Sequence, residues 1–250
     1  KSDLADFAPL IERCQQISKC LLLPRHLVSW GGVGMIQVEL EAMRQLLEYR
    51  LDWDYFINLS ANDFPLRSQD ELRAFLYANR GVNFLEDKPY SRIFLALRVL
   101  SNFVSTSDGP QLLGKYRSAP LGLPVRTGSQ WHALTREFCE YATTSGVAKY
   151  LFLWMSTMSI PDEGYFQTLA HQNASFAVMD TNLHYISWVA YDPDPTHYWY
   201  QTITGPHPQT MTKRFLPKLA ESNCFFARKF DALVDKHIIE ILEERALPAR

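Results

Sequence analysis

Apolar residues recur at helical spacing near the start of the chain, where Leu4, Phe7, Leu10, Ile11 and Cys14 mark an amphipathic helix over residues 4–20. Leu21 to Leu23 then read as a short strand stopped by Pro24, and His26 to Trp30 as another that runs into the turn Gly31-Gly32. Val33 to Arg50 restores the helical period, with Met35, Val38, Leu40, Met43, Leu46 and Leu47 on the buried side. The next apolar strand, Tyr55 to Leu59, enters the polar turn Ser60-Ala61-Asn62-Asp63 and then Pro65. A helix follows at once, with Ser68 as its N-cap and Asp70-Glu71 in its first turn. Two strand-turn-helix units in succession predict parallel strands joined by crossover helices. Ligands of such α/β domains sit beyond the carboxyl ends of the strands, which makes Ser60 to Asp63 the expected floor of a site.

Ser91 to Phe103 is apolar enough for a helix or a strand, and residues 104–124, rich in Ser, Gly and Pro, read as loop. Thr135 caps a helix from Arg136 to Thr143, and another runs from about Ala148 to Met155. Ser159 is then an N-cap candidate, with Pro161 near the first helical position and Asp162-Glu163 in the first turn. Asn182 to Trp188 alternates like a strand, and the Pro-rich residues 190–209 read as a long ordered loop or lid. Phe225 to Asp231 leads into a closing helix, Ala232 to Arg245.

A chain of 250 residues can bury a sizeable core as one large domain. Its net charge of -2 leaves no basic footprint for nucleic acid. Six Trp, twelve Tyr and fifteen Phe fit an aromatic core as well as platforms for sugar rings. Cys14, Cys20, Cys139 and Cys224 form no CxxC motif, which argues against a zinc or thioredoxin-like site and leaves two disulfides or four buried thiols open. No apolar run is long enough to span a membrane.

Several short motifs together resemble the Core-2/I-branching glycosyltransferases and the peptide O-xylosyltransferases, glycosyltransferase family 14. They are, in order, Trp30-Gly31-Gly32, the strand Phe56-Ile57-Asn58-Leu59-Ser60 with Asp63-Phe64-Pro65, Gly128-Ser129 with Trp131, Pro161-Asp162-Glu163, Asn182-Leu183 with Ser187-Trp188, and Phe225 to Phe230. Each is weak alone; the ordered set spans nearly the whole chain. Asn83 to Glu86 resembles a short strand of the same families. Leu183 to Trp188 looks like plant members thought to add glucuronic acid to arabinogalactan, and Phe225 to Asp231 like animal xylosyltransferases. The resemblance implies a GT-A-like mixed sheet flanked by helices, with residues 1–125 as the nucleotide-sugar half and 126–250 as the acceptor and catalytic half. Lys1-Ser2 resembles the tail of a motif on an earlier strand, so the first strands of the domain are expected to precede this chain.

The implied reaction is inverting transfer from a UDP-sugar to a hydroxyl of a protein or glycan, with UDP-xylose as first choice and N-acetylglucosaminyl or glucuronosyl transfer as alternatives. Such a reaction needs a carboxylate to take the acceptor proton and positive charge for the departing diphosphate. On pattern alone Glu163 is a helix-start acid; the resemblance makes it the general base, kept ionised by the positive end of its helix. Arg228 and Lys229, otherwise a solvated basic pair, become the diphosphate ligands and replace the metal of other GT-A enzymes, so no metal or cofactor is expected. In a regular strand these two would face opposite sides, so they can share a ligand only at a turn or strand end.

Asp63, at the end of a strand, is expected in the donor site or just behind it. Gly128 and Ser129 would let backbone approach the acceptor, and Trp131 and Trp188 would be either stacking faces or core tryptophans. Gln130 stands where xylosyltransferases tend to carry Asp, which weakens the case for xylose or a serine acceptor. Asp52-x-Asp54 has the form of a metal-holding motif but precedes its strand, and Asp192-Pro193-Asp194 reads as solvated. Of the sequons at Asn58 and Asn173 only the second is expected at the surface.

A serine hydrolase would need a G-x-S-x-G elbow that the segment around Ser129 lacks, and a glycosidase a carboxylate pair that no spacing here assigns. The rival of another class is a non-catalytic glycan- or nucleotide-binding module. A eukaryotic member would sit in the Golgi lumen on an anchor outside this chain, a bacterial one in the cytoplasm.

Overall fold

The structure, a computed structural model, describes residues 7–17, 20–24, 26, 28–49, 52–91, 95–106, 109–120, 123–188 and 208–246. Helix α1, Ala8–Gln15, is shorter than its expected span of 4–20 and buries none of its residues. The strands expected at residues 21–23 and 26–30 do not form among the described residues, which there run as irregular chain into the Gly31 turn. Helix α2, Gly34–Glu48, follows and buries Ile36, Leu40 and Met43 on one face.

Strand β1, Tyr55–Ile57, and β2, Asp63–Pro65, flank the Ser60 turn. Helix α3, Gln69–Ala78, starts on a complete capping box: Glu71 N donates to Ser68 Oγ at 3.3 Å and Ser68 N to the Glu71 carboxylate at 2.9 Å. β3 is Val82–Leu85 and β4 Lys88–Pro89, and a single π-helical turn occupies Leu95–Val99. β5, Ser101–Thr106, begins in the stretch expected to be helix or strand, and pairs as an antiparallel hairpin with β6, Gly109–Tyr116, where loop was expected. The outer strand is largely exposed, so no burial pattern announces it. β7 is Arg126–Thr127 and β8 His132–Thr135.

Thr135 ends β8 and caps α4, Arg136–Thr144, accepting from Phe138 N at 3.2 Å. α5, Gly146–Met155, is capped by Ser145. Pro161–Glu163 forms one 3-10 turn, and α6, Tyr165–Ala170, buries every one of its residues. β9 Ala177–Met179 and β10 His184–Ile186 follow, then α7 Leu216–Glu221, β11 Phe226–Arg228 and α8 Lys236–Ala246. Lys1-Ser2, Asp192 to Asp194 and most of the expected lid lie outside the described residues.

The strands make a four-stranded sheet, β1-β8-β3-β9, and a three-stranded one, β10-β11-β2, besides two small pairs. The parallel pairing expected of the first strand-turn-helix units does not form among the described residues: β8 is antiparallel to both β1 and β3, β2 is antiparallel to β11, and only β3·β9 and β10·β11 are parallel. The sheets are therefore mixed, and the architecture is the α/β, GT-A-like one that the resemblance implies.

Two cores hold it. The larger packs Leu85 and Leu134 of the four-stranded sheet against α2, α4, α5 and α6, with Phe138, Leu151, Met155, Tyr165 and Phe166 at its centre. Each such side chain contributes about 1.5–3 kcal/mol through burial. The smaller sets Ala227 and Phe230 against Met211, Phe215, Leu219, Ile238 and Leu242. A third cluster, with Leu72, Phe84, Leu183 and Phe226, joins the sheets. Buried Asn83 ties β3 to β8, its side-chain oxygen accepting from Thr135 N at 2.9 Å. All four cysteines are free thiols and only Cys139 is fully buried, so neither pairing into disulfides nor four buried thiols describes them.

Candidate active site

The chain after β3, the turn before β8, β10, the end of β11 and the 3-10 turn converge on one cavity of about 1040 Å³, whereas Ser60 to Asp63 beyond β1, expected as the floor of a site, do not line it. Seven of the eight residues singled out from sequence line it: Gly128, Ser129, Trp131, Glu163, Trp188, Arg228 and Lys229. The eighth, Asp63, lies just behind, its side chain only 1% exposed.

Asp63 is fixed by its own turn, accepting from Ser60 N at 2.6 Å, and β11 pairs with β2 so that Arg228 stands opposite it. The Arg228 Nε lies 3.4 Å from the Asp63 carboxylate, and the guanidinium sits 4.1 Å from the centre of the Trp131 ring. That indole is 5% exposed and has His184 on another side at 5.5 Å, itself stacked on Phe226. Trp131 is therefore a shelf for Arg228, and of the two alternatives left open for it, stacking face or core tryptophan, its burial matches the second. Burial lowers the Arg228 pKa and Asp63 works against it, so the guanidinium stays a cation. Burial likewise lowers the His184 pKa, so its imidazole favours the neutral form.

Lys229 is exposed, one residue beyond the last of β11, and lines the same cavity as Arg228, as a strand end permits. The other cations there each meet a carboxylate: Lys88 that of Glu86, Arg98 that of Glu163, Arg228 that of Asp63. Among the described residues, none makes an ion pair with Lys229.

Glu163 stands at the end of the 3-10 turn, half-buried, its carboxylate 2.9 Å from Arg98 Nη1. Its backbone is clamped from β7, since Gly128 N and Thr127 Oγ1 donate to the Glu163 carbonyl at 2.8 and 3.1 Å. The expected electrostatic support is corrected. Three residues of 3-10 helix carry almost no macrodipole, and Ile160, with φ +53°, takes the cap position expected for Ser159. Burial pushes the Glu163 pKa up, and the Arg98 guanidinium is what opposes it. The adjacent Asp162 points into the protein, 4% exposed, and burial reinforced by the Glu163 charge raises its pKa to about 8.

A Cβ at Gly128 would fall on the Glu86 carbonyl, so the glycine lets the chain after β7 pass tightly against the segment between β3 and β4 where both line the cavity. The Ser129 carbonyl accepts from Gln167 of α6 at 2.7 Å, and its hydroxyl from Trp131 N at 3.2 Å. Both residues shape the wall beside Glu163.

Asp52 and Asp54 line a separate cavity of about 510 Å³ at the other end of β1, where Asp54 pairs with Arg80 at 3.6 Å. Asn58 turns inward, its amide donating to Glu39 and to the Gln130 carbonyl, both at 3.1 Å. Asn173 lies in the turn after α6, where its side-chain oxygen accepts from Ser175.

Sequence reasoning missed Arg98, His184 and Trp30, which also line the cavity. Arg98 is the basic residue that interrupts the apolar run Ile93 to Leu100, the one signal in the sequence that could have found it.

The model of the Core-2/I-branching enzyme family matches residues 6–219. Xylosyltransferase 2 of Mus musculus is 31% identical over 247 residues, which cover 95% of this chain and 28% of that protein. Human xylosyltransferase 2 is 32% identical over 244 residues, covering 94% and 28%. Xylosyltransferase oxt of Drosophila pseudoobscura is 31% identical over 232 residues, covering 88% and 26%. The chain thus spans about a quarter of the length of these curated relatives. A match over most of its length, with its motifs gathered around one cavity, places the chain in the Core-2/I-branching enzyme family.

Proposed function

We propose that this chain carries the reaction centre of an inverting glycosyltransferase that uses a UDP-sugar. One observation carries the reading: a half-buried carboxylate, Glu163, shares a cavity with Arg228 and with Lys229, whose charge no described carboxylate neutralises.

The acceptor hydroxyl gives its proton to Glu163 while its oxygen bonds to the anomeric carbon of the donor. The bond from that carbon to the diphosphate breaks, and UDP leaves with the electron pair. Lys229 meets the new charge as a compact cation and Arg228 as a fork held in place by Asp63 and Trp131. With both cations supplied by the chain, transfer proceeds without a metal. Xylose is the first donor to test because the matched relatives are named xylosyltransferases; N-acetylglucosamine and glucuronate follow. A Golgi setting belongs to the same proposal. No helix among the described residues is long and apolar enough to cross a membrane.

The test is UDP release with UDP-xylose, UDP-N-acetylglucosamine and UDP-glucuronate, with EDTA present, for wild type and Glu163→Gln. The expected result is release with one donor, indifferent to EDTA and reduced by about 10²–10⁴ in the variant, the range for loss of a general base. Release that survives the substitution removes Glu163 from the role. Release abolished by EDTA removes the metal-free part of the reading.

A further inference from the structure

Glu86, Asp87 and Lys88 are three charges in a row, the pattern of a solvated loop, yet only the outer two line the cavity. In extended chain successive side chains point to opposite sides, and Asp87 turns the other way, its side chain 13% exposed. One carboxylate oxygen accepts from Arg126 Nε at 2.7 Å and the other from His171 Nε2 at 2.7 Å. The Asp87 N–H donates to Asp180 Oδ1 at 2.8 Å. Burial would raise the Asp87 pKa, but the bonds from Arg126 and His171 outweigh it and the net shift is downward. The carboxylate is therefore ionised and can only accept, so His171 Nε2 carries a proton.

The grip on the proposed base begins at Arg126. β7 lies on β4 through the pairs Lys88–Thr127 and Pro89–Arg126, and Pro89 has no N–H to give that ladder. The strand is fixed from Arg126 instead. Its N–H donates to buried Thr168 Oγ1 at 3.0 Å. A Cβ on Gly164 would lie 2.9 Å from the Arg126 carbonyl oxygen, so the residue after Glu163 packs on Arg126 itself. Thr127 and Gly128, next along the strand, hold the Glu163 carbonyl. His171 closes α6, whose first residue stands two beyond Glu163. One buried carboxylate outside the cavity thus ties both flanks of the turn that carries Glu163.

We propose that Asp87 is a positioning residue for the transfer reaction: through Arg126 and β7 it sets where the Glu163 carboxylate stands relative to the acceptor hydroxyl. The inference rests on the reading of Glu163 as general base. A base works only within hydrogen-bond reach of the proton it takes, and a misplacement of about 1 Å can cost about 10² in rate. The diphosphate cations belong to the other sheet, Arg228 on β11 and Lys229 just beyond it. Loss of Asp87 therefore costs rate and spares UDP affinity.

The experiment is a double-mutant cycle on UDP release, with wild type, Asp87→Ala, Glu163→Gln and the double variant. Radiolabelled UDP-xylose, UDP-N-acetylglucosamine and UDP-glucuronate serve as donors, and calorimetry gives UDP affinity. Expected is a fall of about 10- to 100-fold in kcat for Asp87→Ala with UDP affinity unchanged. In the Glu163→Gln background the same substitution should alter the residual rate by at most about twofold, because no base is left to place. Arg126→Met, which cuts the same tie from the other side, should repeat both results. Asp87→Asn, which keeps an acceptor for Arg126, should recover part of the rate lost in Asp87→Ala. An equal fall in both backgrounds, or rate and UDP affinity lost together, means a general structural role and overturns the proposal. No release from wild type with any donor overturns the transferase reading and this inference with it, whereas release with additive effects overturns this inference alone.

Discussion

The two charged groups on which the proposed reaction depends are held in opposite ways. Glu163 stands just ahead of α6, whose Tyr165 and Phe166 lie in the larger core: burial desolvates its carboxylate, and a partly exposed partner, Arg98, offsets that. Arg228 belongs to the three-stranded sheet and is held by specific partners, Asp63 across the ladder and the Trp131 ring beneath. A carboxylate regulated by burial responds to pH, because desolvation acts on its charged form alone. A guanidinium keeps its charge throughout, so the second region fixes geometry rather than protonation. The lesson is that pH sensitivity should reside in one half of the cavity and structural sensitivity in the other.

The largest expected effect comes from breaking the second region. Asp63→Ala leaves Arg228 without its buried partner, a loss of about 3–5 kcal/mol in stability, read by denaturant unfolding, together with weaker UDP binding. Equal loss on removing Arg98 would erase the contrast.

Next in size is the buried neighbour of the base. The Asp162 carboxyl has its pKa raised to about 8 in the folded state, against about 3.9 unfolded. The folded protein therefore binds the extra proton between these values, and stability falls as pH rises through that window. Asp162→Asn should flatten the fall, measured as unfolding free energy from pH 5 to 8. A slope unchanged by the substitution would mean that Asp162 is not its source.

The smallest stability effect is expected at Arg98. Its pair with Glu163 is partly exposed, so Arg98→Gln should cost at most about 1 kcal/mol. It also removes the charge that holds the Glu163 pKa down, so the acid limb of the rate should move to higher pH. A limb that stays in place would take Arg98 out of the account.

What the sequence disclosed, and what it hid, follows the range of the forces involved. Ser68 and Thr135 cap their helices as read, because capping is settled within four residues. Glu163, Arg228 and Lys229 reach one cavity as the family motifs implied. Trp131 could not be resolved between platform and core, since the guanidinium above it comes from a residue 97 positions later, 228 − 131. Residues 21–30 had the composition of strands but no described partner to pair with, and β6 formed where Gly and Pro suggested loop. Arg98 sits in a π-helical turn, a conformation with no sequence signature of its own.

The most direct measurement of the central claim is UDP affinity by calorimetry alongside sugar transfer, for wild type, Glu163→Gln and Lys229→Gln. The account requires Glu163→Gln to keep wild-type UDP affinity while transfer collapses, and Lys229→Gln to lose affinity and transfer together. UDP binding that is indifferent to Lys229, or lost with Glu163, would contradict the assignment of base and diphosphate cations to this cavity.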